Sequence, residues 1–128
     1  RFMAVKNNII LMDINQNVRE SLQQLSSVLK KGKNIIIFPE GTRSKDKSVA
    51  NFKETFAILS RELNIPIVPV AINGSERAVY RSIKLPRLFA KIDVEFLTPV
   101  YPSTETDTAA SLKEKVEKII RRHLSAKS

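Results

Sequence analysis

The chain has 128 residues, 42% of them hydrophobic and 27% charged, so it can build one hydrophobic core, and extensive disorder or a second domain is excluded. It has no cysteine, which removes disulfide scaffolds and thiolate chemistry, and no apolar run approaches the length that crosses a bilayer. Lys+Arg 22 against Asp+Glu 13 leaves a net charge of +9, so an anionic partner is expected: nucleic acid, anionic lipid or a phosphorylated metabolite.

Asn8 to Asp13 contains Ile9-Ile10-Leu11-Met12, a short apolar run that reads as a buried strand. Val18, Leu22, Leu25 and Leu29 then recur at helical spacing. They predict an amphipathic helix stopped by Gly32 after Lys30-Lys31, where cations suit the negative end of the helix dipole. Ile35-Ile36-Ile37-Phe38 is β-branched and too short for a helix, so a second buried strand is expected, broken by Pro39. A polar loop from Glu40 to Ser48 leads into a helix expected over Asn51 to Leu63, with Phe52, Phe56, Leu59 and Leu63 on one face. Asn51 is its expected cap, with Glu54 three residues on.

Ile67-Val68-Pro69-Val70-Ala71-Ile72 reads as a third apolar strand, in which Pro69 has no N–H and predicts an irregularity or an unpaired side. From Lys91 to Leu97, Ile92, Val94 and Phe96 alternate with Asp93 and Glu95, the pattern of a strand near the sheet edge with one solvated face. Ala109, Leu112, Val116, Ile119 and Ile120 mark a third amphipathic helix from Thr108 to about Leu124. Strand and helix alternate along the chain, so the expected class is α/β: a mostly parallel sheet with helices packed on it, residues 1–128 forming a single domain.

Ligands of open α/β sheets gather at the carboxyl ends of strands, where Pro39 to Ser48 falls. Gly41 allows close backbone approach, Thr42 and Ser44 offer hydroxyls, and Arg43 offers a fork of N–H donors matched to phosphate oxygens. Lys45, Lys47 and Lys53 add positive field, and Glu40 is left to orient Arg43, a backbone amide or a substrate hydroxyl. On composition alone, a solvated basic loop with a glycine turn is the favoured reading. The spaced glycines and Gly-Lys-Ser/Thr ending of a Walker loop are missing.

The full string Ile36-Ile37-Phe38-Pro39-Glu40-Gly41-Thr42-Arg43-Ser44 closely resembles the third motif of the 1-acylglycerol-3-phosphate and glycerol-3-phosphate acyltransferase family. Ile65 to Gly74 resembles the fourth motif of that family, and one helix fills the interval, as it does there. The resemblance covers about Asn8 to Pro102. It implies a glycerolipid acyltransferase-like fold, here a partial domain, and transfer of a fatty acyl group from acyl-CoA or acyl-carrier protein to a lysophospholipid or glycerol phosphate. It further implies that Arg43 holds the acceptor phosphate with help from the Gly41–Thr42 backbone and Ser44, and that Glu40 binds or orients the glycerol end. Pro66 to Pro69 would shape a channel wall, making Pro69 a substrate-binding position. No metal and no cofactor beyond the acyl donor is implied.

The catalytic motif of the family, a His followed five positions later by an Asp, is not in this sequence, and its expected place is upstream of residue 1. The single histidine, His123, sits beside an apolar helical stripe with no Asp at that offset and reads as a half-buried helix residue. The second motif is partial, since Ile14 follows Asp13 where the family has Arg, and Thr55 stands where a Gly is common. The chain is therefore expected to be either the carboxyl-terminal part of a longer acyltransferase or a degenerate homologue that keeps the binding half, and in both cases to be inactive alone and to carry the acceptor-binding part of the site. Arg77 to Lys91 interleaves five basic residues with Tyr80, Ile83, Leu85, Leu88 and Phe89, a composition suited to anionic headgroups. The other reading is an ordinary loop whose apolar residues pack under the sheet; joined to the lipid substrate that the resemblance implies, the expectation is a peripheral protein at the cytoplasmic face of a membrane. Lys118, Arg121, Arg122 and Lys127 read as a solvated helix face. The rival reading is a non-catalytic basic module for anionic lipid or nucleic acid; against the nucleic acid, no zinc spacing, stacking platform or basic recognition helix is visible. A phosphotransferase is disfavoured because Asp13, Glu40 and Asp46 form no set for Mg²⁺.

Overall fold

A computed structural model of the chain describes residues 18–41, 49–75, 90–103 and 105–126. The chain divides into two compact units, Arg1–Ile36 and Ile37–Ser128.

In the first unit, α1 (Val18–Lys30) forms where the periodic leucines predict it, and Leu25 is buried on its apolar face. Its end is closed by two backbone bonds, Gly32 N–H to Leu29 C=O at 2.9 Å and Lys33 N–H to Val28 C=O at 3.3 Å. This crossing pair requires a left-handed residue between helix and exit, and Gly32 supplies it with φ +73°. The strand expected at Asn8 to Asp13 lies outside the described residues.

Ile35 to Phe38 departs from expectation. It is no ladder strand among the described residues, and it is not buried on both faces: Ile36 is 86% and Phe38 74% exposed. Only Ile37 packs against the core of the second unit. Burial alternates along it, with Ile35 and Ile37 partly buried and Ile36 and Phe38 exposed, the pattern of an extended segment covered on one side.

In the second unit, α2 (Thr55–Leu63) starts four residues later than Asn51, at a position where Glu54 makes no side-chain cap. The residues before it are held by tertiary bonds, Phe52 N–H to Glu117 and Lys53 N–H to the Pro39 carbonyl. At its far end, Asn64 adopts the left-handed conformation, and Ile65 N–H returns to Ser60 C=O at 3.0 Å.

β1 (Val70–Asn73) and β2 (Asp93–Phe96) pair antiparallel, Val70 opposite Phe96 and Asn73 opposite Asp93. The mostly parallel sheet expected from the strand–helix alternation is not found among the described residues. A parallel connection needs a crossover, commonly a helix, and the sequence between these two strands has no helical periodicity. The irregularity expected at Pro69 is present. A bridge pairs Ile67 with Val100, so two residues separate it from the ladder on one side and three on the other. The Pro69 carbonyl accepts Leu97 N–H at 2.9 Å, while its missing N–H makes no demand.

α3 (Ala109–Ala126) is the long helix expected near the end of the chain. Thr108 caps it reciprocally with Ser111, each side-chain oxygen accepting the other's N–H at 3.0 and 2.9 Å. Leu112 and Val116 are buried from its stripe, and Ala109, Ile119 and Ile120 pack around them. With Phe52, Phe56, Ala57 and Val100 they form the core, Phe52 meeting Phe56 edge to face at 6.2 Å. α3 also packs on β1, whose buried Ala71 shares a ladder position with Glu95. The acidic face of β2 therefore meets the helix, while Val94 and Phe96 lie exposed, reversing the expected sides.

Candidate functional site

The signature string enters the structure as a tight turn. Pro39 presets the backbone angle of its first central position, and Gly41 N–H closes the turn on Phe38 C=O at 3.3 Å. Gly41 has φ +68°, a conformation that side-chain-bearing residues rarely adopt. A Cβ there would meet Lys53, 3.0 Å from its Cε and 3.2 Å from its Nζ, so the lysine ammonium lies against the glycine. Lys53 is placed there by its own backbone, whose N–H donates to Pro39 C=O at 2.9 Å.

Glu40 is half-buried, and its Oε2 accepts Ala50 N–H at 3.0 Å. Of the partners open to it in the sequence, a backbone amide is the one observed among the described residues. Together these bonds bring 38–41 and 49–53, the two flanks of the loop, side by side. Thr42, Arg43 and Ser44 lie between the flanks and outside the described residues. Pro69 is buried within the β1 connection, and no described contact joins it to Glu40 or Gly41.

The far flank is held again from α3. Glu117 Oε2 accepts Phe52 N–H at 3.1 Å, and Glu117 Oε1 accepts Arg121 Nε–H at 2.9 Å and Arg121 Nη2–H at 2.8 Å. Arg121 Nη2–H also donates to Ala50 C=O at 3.3 Å. Burial works to raise the pKa of Glu117, but the Phe52 amide, the Arg121 guanidinium and the nearby Lys113 charge outweigh it and hold the pKa below the ordinary carboxylate range. Sequence reasoning placed Arg121 on a solvated face. The structure corrects this, because the side chain is 39% exposed and its guanidinium is committed to Glu117 and the loop flank. The one available signal was the Glu–Arg spacing of four on a helix, which says the two meet but not that they hold a distant backbone.

His123 is half-buried, as expected, and its Nε2 lies 2.8 Å from Glu95 Oε2, joining α3 to β2 away from the loop. The basic-apolar segment is described only at Ala90 and Lys91, and Lys91 pairs with Asp93 at 3.3 Å. No described helix is long and apolar enough to cross a membrane.

Residues 1–73 match the family described as Acyltransferase, more than half of the chain. Among curated proteins, the 1-acyl-sn-glycerol-3-phosphate acyltransferase of Cocos nucifera is 37% identical over 82 residues, 63% of this chain and 26% of that protein. A probable 1-acyl-sn-glycerol-3-phosphate acyltransferase of Mycoplasma pneumoniae is 31% identical over 97 residues, covering 68% of this chain and 36% of that protein. Among solved structures, the 1-acyl-sn-glycerophosphate (LPA) acyltransferase PlsC from Thermotoga maritima superposes with a TM-score of 0.68 at 25% identity. The match covers 87% of this chain and 44% of PlsC. The chain thus spans less than half the length of each of these relatives.

Proposed function

This chain belongs to the acyltransferase family, and from that premise we propose that it supplies the acceptor-phosphate site of a phospholipid-forming acyltransferase. The observation that carries the reading is the paired loop flanks, where the Lys53 ammonium lies against a left-handed Gly41 at the start of Thr42-Arg43-Ser44. In this reading the Arg43 guanidinium grips the phosphate of a lysophospholipid or glycerol phosphate in a bidentate fork, and Lys53 adds a point charge. Thr42 and Ser44 donate hydroxyl hydrogen bonds, while Glu40 braces the loop through Ala50 and faces the glycerol end. Pro69 contributes to the wall of the substrate channel through the rigid β1 connection.

The acceptor hydroxyl attacks the thioester carbonyl of acyl-CoA or acyl-carrier protein, the ester C–O bond forms, and the thiol leaves with the proton. A His–Asp pair with the family's spacing would take that proton, and this sequence has none, so in this reading the chain alone does not turn over. No cofactor beyond the acyl donor is needed, and the protein works peripherally on the cytoplasmic face of an anionic membrane.

Titration with glycerol 3-phosphate and with glycerol tests the site. Glycerol 3-phosphate should bind, glycerol should not, and Arg43→Ala should weaken binding by at least about tenfold, the worth of a charge-assisted pair. Equal binding of both ligands, or an unaffected Arg43→Ala, overturns the reading.

A further inference from the structure

The loop that carries the signature is fastened to a helix far away in sequence by charge-assisted hydrogen bonds to its backbone. Phe52 N–H and Ala50 C=O, both on the far flank, are held by Glu117 and Arg121 on consecutive turns of α3. The near flank is held to the same short segment by Ala50 N–H on Glu40 and Lys53 N–H on Pro39 C=O. Ala50 is thus gripped through both of its backbone groups, by Glu40 on one side and Arg121 on the other.

We propose that Glu117 and Arg121 are positioning residues for phosphate binding, setting the spacing of the loop flanks and thereby the placement of Lys53 over Gly41. The inference rests on the acceptor-phosphate reading of the loop and deepens it. Two features make the pair more than a helix-surface ion pair. Glu117 is 16% exposed, and its two oxygens serve different purposes, one taking the Phe52 amide and the other the guanidinium. The Arg121 fork is likewise divided between the carboxylate and a backbone carbonyl of the loop flank. Exposed pairs at this spacing are ordinarily worth little. Here each partner also satisfies a backbone group that would otherwise lose its bond.

Charge and geometry make opposite predictions at Glu117. Removing the carboxylate makes a +9 chain more positive, and simple electrostatics would then tighten phosphate binding. Positioning predicts the reverse. The experiment is titration of the 128-residue chain with glycerol 3-phosphate at fixed ionic strength, alongside amide hydrogen exchange at Ala50, Phe52 and Lys53.

Glu117→Ala should weaken binding by about tenfold and speed exchange at Phe52, consistent with loss of a hydrogen bond to a charged group. Glu117→Gln keeps an oxygen for the Phe52 amide and should recover part of that loss. Thr108→Ala loosens the capped start of the same helix without touching the fastening, so it should lower the melting temperature and leave Kd unchanged. If Glu117→Ala does not fold, Glu117→Gln and Arg121→Lys carry the test, and both should bind more weakly than the unaltered chain.

Tighter or equal binding in the folded Glu117 variants overturns the inference. So does a Thr108→Ala variant whose Kd rises as far as theirs. Failure of the unaltered chain to bind glycerol 3-phosphate is a different outcome, because it removes the acceptor-phosphate reading on which the inference stands.

Discussion

Around Leu112 the second unit is held by apolar contact, with Phe52, Phe56, Ala57, Val100 and Val116 closing over a side chain that has no exposed surface. Around Ala50, a short distance along the same packed elements, it is held by directional bonds to backbone groups: Glu40, Glu117, Arg121 and the Pro39 carbonyl. The two regions meet at Phe52, whose ring belongs to the core and whose amide belongs to the loop. The contrast separates two tasks. Burial fixes whether the unit folds, since it is non-directional and scales with area. The polar bonds fix where the loop flanks sit, since they are lost over a few tenths of an ångström.

The sharpest way to break this division is at the core. Leu112→Ala should cost about 2–5 kcal/mol in a denaturant unfolding experiment, the range for large buried apolar truncations. The folded fraction should still bind glycerol 3-phosphate within about twofold of the unaltered chain if the shared Phe52 passes no strain from its ring to its amide. A large change in Kd would show that core and loop are not separable.

A smaller effect is expected on the loop side. Gly41→Ala should cost about 1–2 kcal/mol, because φ +68° is unfavourable for any residue with a Cβ. The new methyl would meet the flexible end of Lys53 rather than backbone, so the lysine swings aside. Binding should fall more than stability does, which thermal melting and titration on the same sample would compare. Unchanged melting and unchanged binding would mean that neither the turn nor the lysine placement matters.

What could be read in the sequence follows the same division. The apolar stripe of α3 and the stop at Gly32 are local, set by a 3.6-residue period and by one residue able to take a positive φ, and both are found. The irregularity at Pro69 is local too, since a missing N–H needs no partner to be known. The start of α2 was not legible. Asn51 and Glu54 have the spacing of a capping box, but Phe52 N–H goes to Glu117, 65 residues away. Arg121 failed for the same reason: a helix-surface spacing does not announce a carbonyl 71 residues upstream. The reversed faces of β2 show a further limit, because period-two alternation reports that two faces differ and not which one a helix will cover. At the site itself, Phe38 to Ser44 was legible as a string, and the structure adds the flanks that hold it and the lysine that meets its glycine.

The central claim is that the paired loop flanks around Gly41 and Lys53 hold an acceptor phosphate. The most direct measurement is an amide chemical-shift titration of the chain with glycerol 3-phosphate. The account predicts saturable shifts concentrated at Gly41, Ala50, Phe52 and Lys53, absent with glycerol and much reduced in Arg43→Ala. Shifts confined to the basic side of α3 around Lys118 and Arg122, or no saturable shifts at all, would contradict it.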